Sequence, residues 1–191
     1  FSRPLPLTSG WMTQSLAPGR SCDACTLCCK LAAVHEISKP RMQDCPHCAI
    51  GVGCKIYETR PGACRTFFCE YRLNAELGEE WKPNLCNIVV TVERQARRIN
   101  VLLDDGHFDA WRKEPYYSQI KTMALNILRQ RGHLIVWEGL EGIGILPHKE
   151  VRLVRPQANQ VIVAGRRMTE QGEEFDIMAL DRNDPRLKPS S

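Results

Sequence analysis

Ten cysteines, all between positions 22 and 86 of a 191-residue chain, constrain this sequence more than any other feature. The residues after Cys86 contain none. Disulfide-stapled domains are typically small secreted folds that cannot build a sufficient core. The cysteine-free half carries enough apolar strand patterning to hold itself together. Thiols gathered at one end of the chain therefore point to a metal site in a reducing compartment, and the cytoplasm is the expected location.

The spacing has a physical logic. The segment CDACTLCCK sets Cys22, Cys25, Cys28 and Cys29 in one array. CPHC adds Cys45 and Cys48, and GVGCKIYETRPGACRTFFC adds Cys54, Cys64 and Cys69. Cysteines separated by two residues can present their sulfurs to one metal from a tight turn or from one helix face. A short helix over residues 22–33 would put Cys22, Cys25 and Cys28 or Cys29 on one side. Cys28 and Cys29 are neighbours, so their side chains diverge. They would serve two sites, or one of them would be structural. Cys86 stands apart.

Ten thiols exceed what one tetrahedral zinc or one cubane cluster takes. Two sites are arithmetically possible, and so is one site with spare cysteines. The nine candidate metal ligands are Cys22, Cys25, Cys28, Cys29, Cys45, Cys48, Cys54, Cys64 and Cys69. The first array resembles the spacing of [4Fe–4S] ligands, and the paired CxxC element resembles a zinc ribbon. All-sulfur ligation suits either and argues against Mg or Ca. The expected cofactor is a [4Fe–4S] cluster or Zn2+. Lys30, Lys55, Arg60 and Arg65 lie close in sequence to ligand candidates and would offset thiolate charge, unless they are ordinary solvated side chains. His35 and His47 are the histidines near the cysteines, and both are minor candidates beside the thiols. His107, His133 and His148 fall in the strand-rich half as ordinary polar residues. Trp81, Phe67 and Phe68 are expected to cover the metal region with apolar surface.

The array CDACTLCC, followed by CPHC, GCKIYETRPGACRTFFC and a later WKP, resembles the CxxCxxCC family of zinc- or iron-chelating proteins. The likeness spans about residues 22–83 of this sequence. Its most specific part is the stretch over residues 53–67. The resemblance implies metal chelation, with Cys22, Cys25, Cys28, Cys29, Cys45, Cys54 and Cys64 falling on the family's cysteines. Cys48 and Cys69 look like cysteines of a subgroup, and Cys86 has no counterpart. A similar cysteine region occurs in flagellin lysine N-methylases, where it goes with an iron–sulfur cluster. The resemblance supplies a site and no reaction.

Other function classes find less support. No P-loop, dinucleotide fingerprint, nucleophile elbow or HExxH motif is present. The net charge is +4, and each half carries about the same small surplus, so there is no basic pole for nucleic acid. Arg97 with Arg98, and Arg166 with Arg167, read as solvated basic pairs, with phosphate contact as the alternative. No apolar run approaches the ~18 residues of a membrane span. The start lacks the pattern of a secretion signal. The expected partners are the metal or cluster and a protein, with neither membrane nor nucleic acid. Three functions compete: a metal-binding or redox accessory protein, an enzyme using an iron–sulfur cluster for methyl or electron transfer, and a zinc-structured nucleic-acid-binding protein.

The expected fold class is α+β, an irregular cysteine-rich module packed on a small, mostly antiparallel sheet with one main helix. Residues 1–20 form an irregular lead-in, 21–86 the metal-binding module, 87–182 an α+β domain and 183–191 a loose tail. In the α+β part, residues 87–105 read as two strands joined by a polar turn. Ile120, Met123, Ala124, Ile127 and Leu128 recur at the helical period, between Pro115 and Gly132. Four or five short strands follow.

Overall fold

The computed structural model describes residues 15–153, 156–170 and 172–187. Residues 1–14 of the expected lead-in and 188–191 of the expected tail lie outside the described residues. So do 154 and 155, at the end of one expected strand.

The cysteine-bearing half is built from very short elements. In chain order these are α1 (Leu27–Leu31), β1 (Cys48–Ala49), β2 (Gly53–Cys54), α2 (Gly62–Thr66), α3 (Glu70–Leu73) and α4 (Pro83–Cys86). Single 3-10 turns at His35–Ile37, Tyr57–Thr59 and Glu79–Trp81 separate them. The helix expected from residue 22 begins only at Leu27, because Asp23 takes a left-handed conformation with φ 40° that no helix accommodates.

The second half supplies regular structure. Strands β3 (Ile88–Glu93) and β4 (Arg98–Leu103) form the expected hairpin. Helix α5 (Tyr116–Arg129) carries the chain to β5 (His133–Glu138), which lies parallel to β4. A parallel pair needs such a crossover. Strands β6 (Glu141–Ile145) and β7 (Glu150–Leu153) complete a five-stranded sheet in the order β3-β4-β5-β6-β7, antiparallel except at β4–β5. Strands β8 (Gln160–Thr169) and β9 (Gly172–Asp181) form a separate long hairpin. The architecture is α+β, with one main helix and a mostly antiparallel sheet.

Strand β5 explains how the layers stack. Its side chains alternate between faces. Leu134 and Val136 join a core with Ile120, Met123 and Ala124 of α5 and with Ile88, Val90, Ile99 and Val101 of the sheet. Ile135 and Trp137 point the other way, into a second core with Ile162, Phe175 and Ile177 of the long hairpin. The first core crosses the sequence division at residue 86, since Tyr71, Leu77, Trp81 and Cys86 belong to it.

Trp81 is buried under α5, its ring edge-on to Tyr116 at 5.1 Å and its Nε1–H donating to Gln119 Oε1, in a core that also holds Cys86 and has Cys69 packed against it. The apolar surface of α5 is the larger sink for an indole. The end of α5 departs from expectation in detail. The left-handed residue there is Arg131, with φ 61°, and Gly132 is needed for another reason. A Cβ at Gly132 would lie 2.2 Å from the carbonyl oxygen of Arg97.

Residues 15–20 are fastened down. Ala17 N–H donates to Arg72 O at 2.8 Å. The Arg20 guanidinium donates to the carbonyls of Tyr71, Asn74, Ala75 and Leu77, and stacks 4.5 Å over the Tyr71 ring. No helix among the described residues is long and apolar enough to cross a membrane.

Candidate metal centre

All ten cysteines are free thiols. Local backbone turns set them out. Cys25 N–H donates to Cys22 O at 2.7 Å, closing a turn before α1. Cys48 N–H does the same to Cys45 O at 2.9 Å. The two-residue pairing of β1 with β2 then places Cys48 directly across from Cys54. The turn between them requires Gly51 and Gly53, both at positive φ where a side chain would be strained. Gly51 N–H donates to Thr26 Oγ1 at 3.2 Å, which docks this hairpin at the start of α1.

The motif IYETRPGACR forms a self-braced loop. The Arg60 guanidinium sits 3.7 Å over the Tyr57 ring and donates to Tyr57 O. Arg65 donates to the carbonyls of Glu58 and Arg60. Glu36 Oε1 accepts the Ala63 N–H at 3.0 Å, holding the first turn of α2. These side chains set the loop that carries Cys64. Arg60 and Arg65 are committed to this bracing. Lys30 is committed elsewhere, to Asp104 at 2.7 Å and to Asp105.

Helix α1 is where the cysteines divide. Successive helical residues point about 100° apart, so the Cα–Cβ bonds of Cys28 and Cys29 diverge even though the Cys28 thiol still reaches Cys29. The electrostatic neighbours of Cys28, apart from Cys29, are Cys69 and Cys22. Cys69 in turn feels Cys22 and Cys25. Those of Cys29 are Cys48 and Lys39. Cys64 feels Cys29, Cys45 and Cys54. Two groups result: Cys22, Cys25, Cys28 and Cys69 on one side, and Cys29, Cys45, Cys48, Cys54 and Cys64 on the other. A thiol hydrogen bond from Cys28 to Cys29 joins them, and Cys48 also donates to Cys29. That bond raises Cys28, with burial adding to it, and lowers Cys29 against the effect of burial. Burial raises Cys25 and Cys64 and pushes Cys48 and Cys69 up to about 11.

Cys86 lies behind the first group. It is 4% exposed, its Sγ donates to Ile88 O at 3.4 Å, and burial pushes its thiol up to about 12. It packs as a small core residue.

Three cations beside the thiols escaped the sequence reading. Arg72 Nη1 donates to Cys22 Sγ at 3.1 Å. Lys82 lies within the electrostatic reach of Cys25 and pairs with Asp23 at 3.5 Å. Lys39 is 5% exposed, donates to the carbonyls of Lys30, Ala32 and Pro40, and faces Cys29 and Cys45. Arg72 and Lys82 are far in sequence from the cysteines they meet, so spacing could not find them. Lys39 carried one signal, the proline after it, which marks a turn.

No three His, Cys, Asp or Glu side chains stand in a group that could already hold a metal ion among the described residues. Cys28 and Cys48 each donate a thiol hydrogen bond to Cys29. The donor chemistry fits thiophilic metals: sulfur atoms in two sets, each with a cation alongside to offset thiolate charge. His35 and His47 belong to neither set. Comparison with protein-family models, with curated proteins and with solved structures finds no match.

Proposed function

We propose that this protein binds metal through its clustered cysteines, carrying an iron–sulfur cluster or zinc, and acts as a binding or redox accessory protein in the cytoplasm. The observation that carries the reading is the fork at Cys28 and Cys29. It sends one thiol to each of two cysteine groups on one short scaffold. Cys22, Cys25, Cys28 and Cys69 would hold one metal or cluster. Cys29, Cys45, Cys48, Cys54 and Cys64 would supply a second, with one thiol to spare if that site is tetrahedral. A bound metal would replace the thiol protons and tie together turns that are otherwise joined by single hydrogen bonds. Arg72 and Lys82 would steady the charge of the first group, and Lys39 that of the second.

The resemblance to the CxxCxxCC proteins rests on spacing and on the motif over residues 53–67, and it supports the same reading. The test is metal and sulfide analysis of anaerobically purified protein, with its visible spectrum. A brown protein containing iron and acid-labile sulfide identifies a cluster, and a colourless one containing zinc identifies zinc sites. Cys28→Ser and Cys29→Ser should each lose part of the metal, and the double variant should lose most of it. Full metal content in the double variant rules the reading out.

A further inference from the structure

Away from the cysteine groups, a groove of about 610 Å³ opens over strands β3 and β4. That lies within the ~300–1,000 Å³ of small-molecule sites. Its floor is one face of the sheet, where Arg98 and Asn100 of β4 lie beside Trp137 of β5. The start of β8 and Arg182 form one wall, and Arg41, from the cysteine region, closes another.

The charges lining this groove do not balance. Among the described lining residues, three arginines, Arg41, Arg98 and Arg182, stand against a single carboxylate, Glu93. Glu93 is already paired with Arg98 Nη2. The Nε of Arg98 is buried without a hydrogen-bond partner. The Arg41 guanidinium lies 5.1 Å over the Trp137 ring. Burial, and then the like charge of Arg98, hold Arg41 below its ordinary value. Two half-buried cations facing each other repel, and a dianion between them turns repulsion into attraction.

We propose that this groove binds the phosphate group of a small organic phosphate ester, with Arg41 and Arg98 as its clamp. A phosphate monoester carries about −1.5 to −2 charges at neutral pH, which matches the surplus of the lining, whereas a lone carboxylate supplies about half of it. Guanidinium forks fit phosphate oxygens in bidentate pairs. Trp137 Nε1–H donates to Asn100 Oδ1 at 2.9 Å, which fixes the floor. Leu102, Val161 and Ile162 supply apolar lining for the organic body.

The proposal is independent of the metal reading. The test is a titration of the protein as isolated, following the Trp137 indole N–H resonance identified through Trp137→Phe. Ribose 5-phosphate should shift it saturably. Inorganic phosphate should bind more weakly, and ribose should not bind. Arg41→Gln should weaken ribose 5-phosphate binding about tenfold or more, as expected for loss of a charge-assisted contact. Arg182→Gln, at an exposed position, serves as the second variant if Arg98→Gln disturbs the sheet, and it too should weaken binding. Metal content should stay that of the parent protein in the variants at positions 41 and 182. An unmoved resonance overturns the proposal. So does an equal shift with chloride at matched ionic strength, tighter binding of inorganic phosphate than of the ester, or an Arg41→Gln variant that binds as before.

Discussion

The two halves of this chain are held together by different means. Between residues 21 and 69, only Leu31, Val34 and Lys39 are buried. No helix or strand there exceeds five residues, and the links are turns, short caps and thiol contacts. From residue 88 to 153, a sheet with buried faces carries two apolar cores. Apolar burial is the main force opposing chain entropy. The sheet half has that force in hand, and the cysteine half needs another. On the metal-binding function proposed above, coordination would be that source.

The largest test of this contrast is metal removal. Coordination of a structural zinc supplies on the order of 10 kcal/mol of folding free energy in small domains. Chelation under reducing conditions should therefore abolish amide protection between residues 22 and 69 while leaving β3 to β6 largely protected. Hydrogen exchange read by mass spectrometry gives both regions at once. Equal loss in both would join them into one metal-dependent core and break the contrast.

The opposite perturbation comes next. Leu134 is fully buried between sheet and α5. Leu134→Ala should cost about 2–5 kcal/mol, read as a lower denaturant midpoint. Metal per folded chain should stay unchanged. Metal loss in step with the midpoint would show that the sheet shapes the cysteine sites.

Acid sharpens the contrast further. His133 is 4% exposed on β5, and its Nε2 has no hydrogen-bond partner. Burial first, then the charge of Arg98, with Glu93 opposing, hold it down at about 4. Its unfolded value is near ~6.5, so the unfolded chain binds the extra proton between these limits. Stability from the neutral ring is present above about pH 6.5 and is lost as pH falls toward 4, by about 3 kcal/mol. Urea midpoints from pH 7.5 down to 4.5 should fall accordingly, and His133→Phe should flatten that slope. An unchanged slope would assign the acid sensitivity to other groups. The smallest effect is expected at the surface. Arg112 grips Glu150 through both carboxylate oxygens, at 3.2 and 2.9 Å. Both side chains are partly exposed, so Arg112→Ala should change stability by no more than ~1 kcal/mol. A larger loss would point to the stacking of Arg112 on Trp111 at 4.1 Å.

Where the sequence was legible follows the same division. Helix α5 was readable because its apolar residues keep one face over fourteen residues. The strands were readable because β-branched residues recur between turn signals. In the cysteine region periodicity has nothing to act on. The helix expected from Cys22 fails at one backbone angle, at Asp23. Adjacent cysteines announced divergence by themselves, but which thiols each one meets depends on Cys69 and Cys64 returning from far along the chain. Trp81 read as apolar cover for the cysteine region, and linear distance hid its contacts with Tyr116 and Gln119 of α5. Arg41 carried no signal of its own in the sequence, and only the sheet behind it makes it the wall of a groove.

The Arg20 clamp has a consequence for chain length. By gripping the carbonyls of residues 71, 74, 75 and 77, it brings the two ends of the cysteine segment to one place. Everything from Cys22 to Cys69 is thus an excursion that leaves and returns through a single neck. For such a closed loop, each doubling of length costs only about 0.6 kcal/mol of closure entropy. Insertions between the turns are cheap as long as the neck holds. The spacings within each CxxC turn are fixed by geometry, whereas the distances between turns are free to drift.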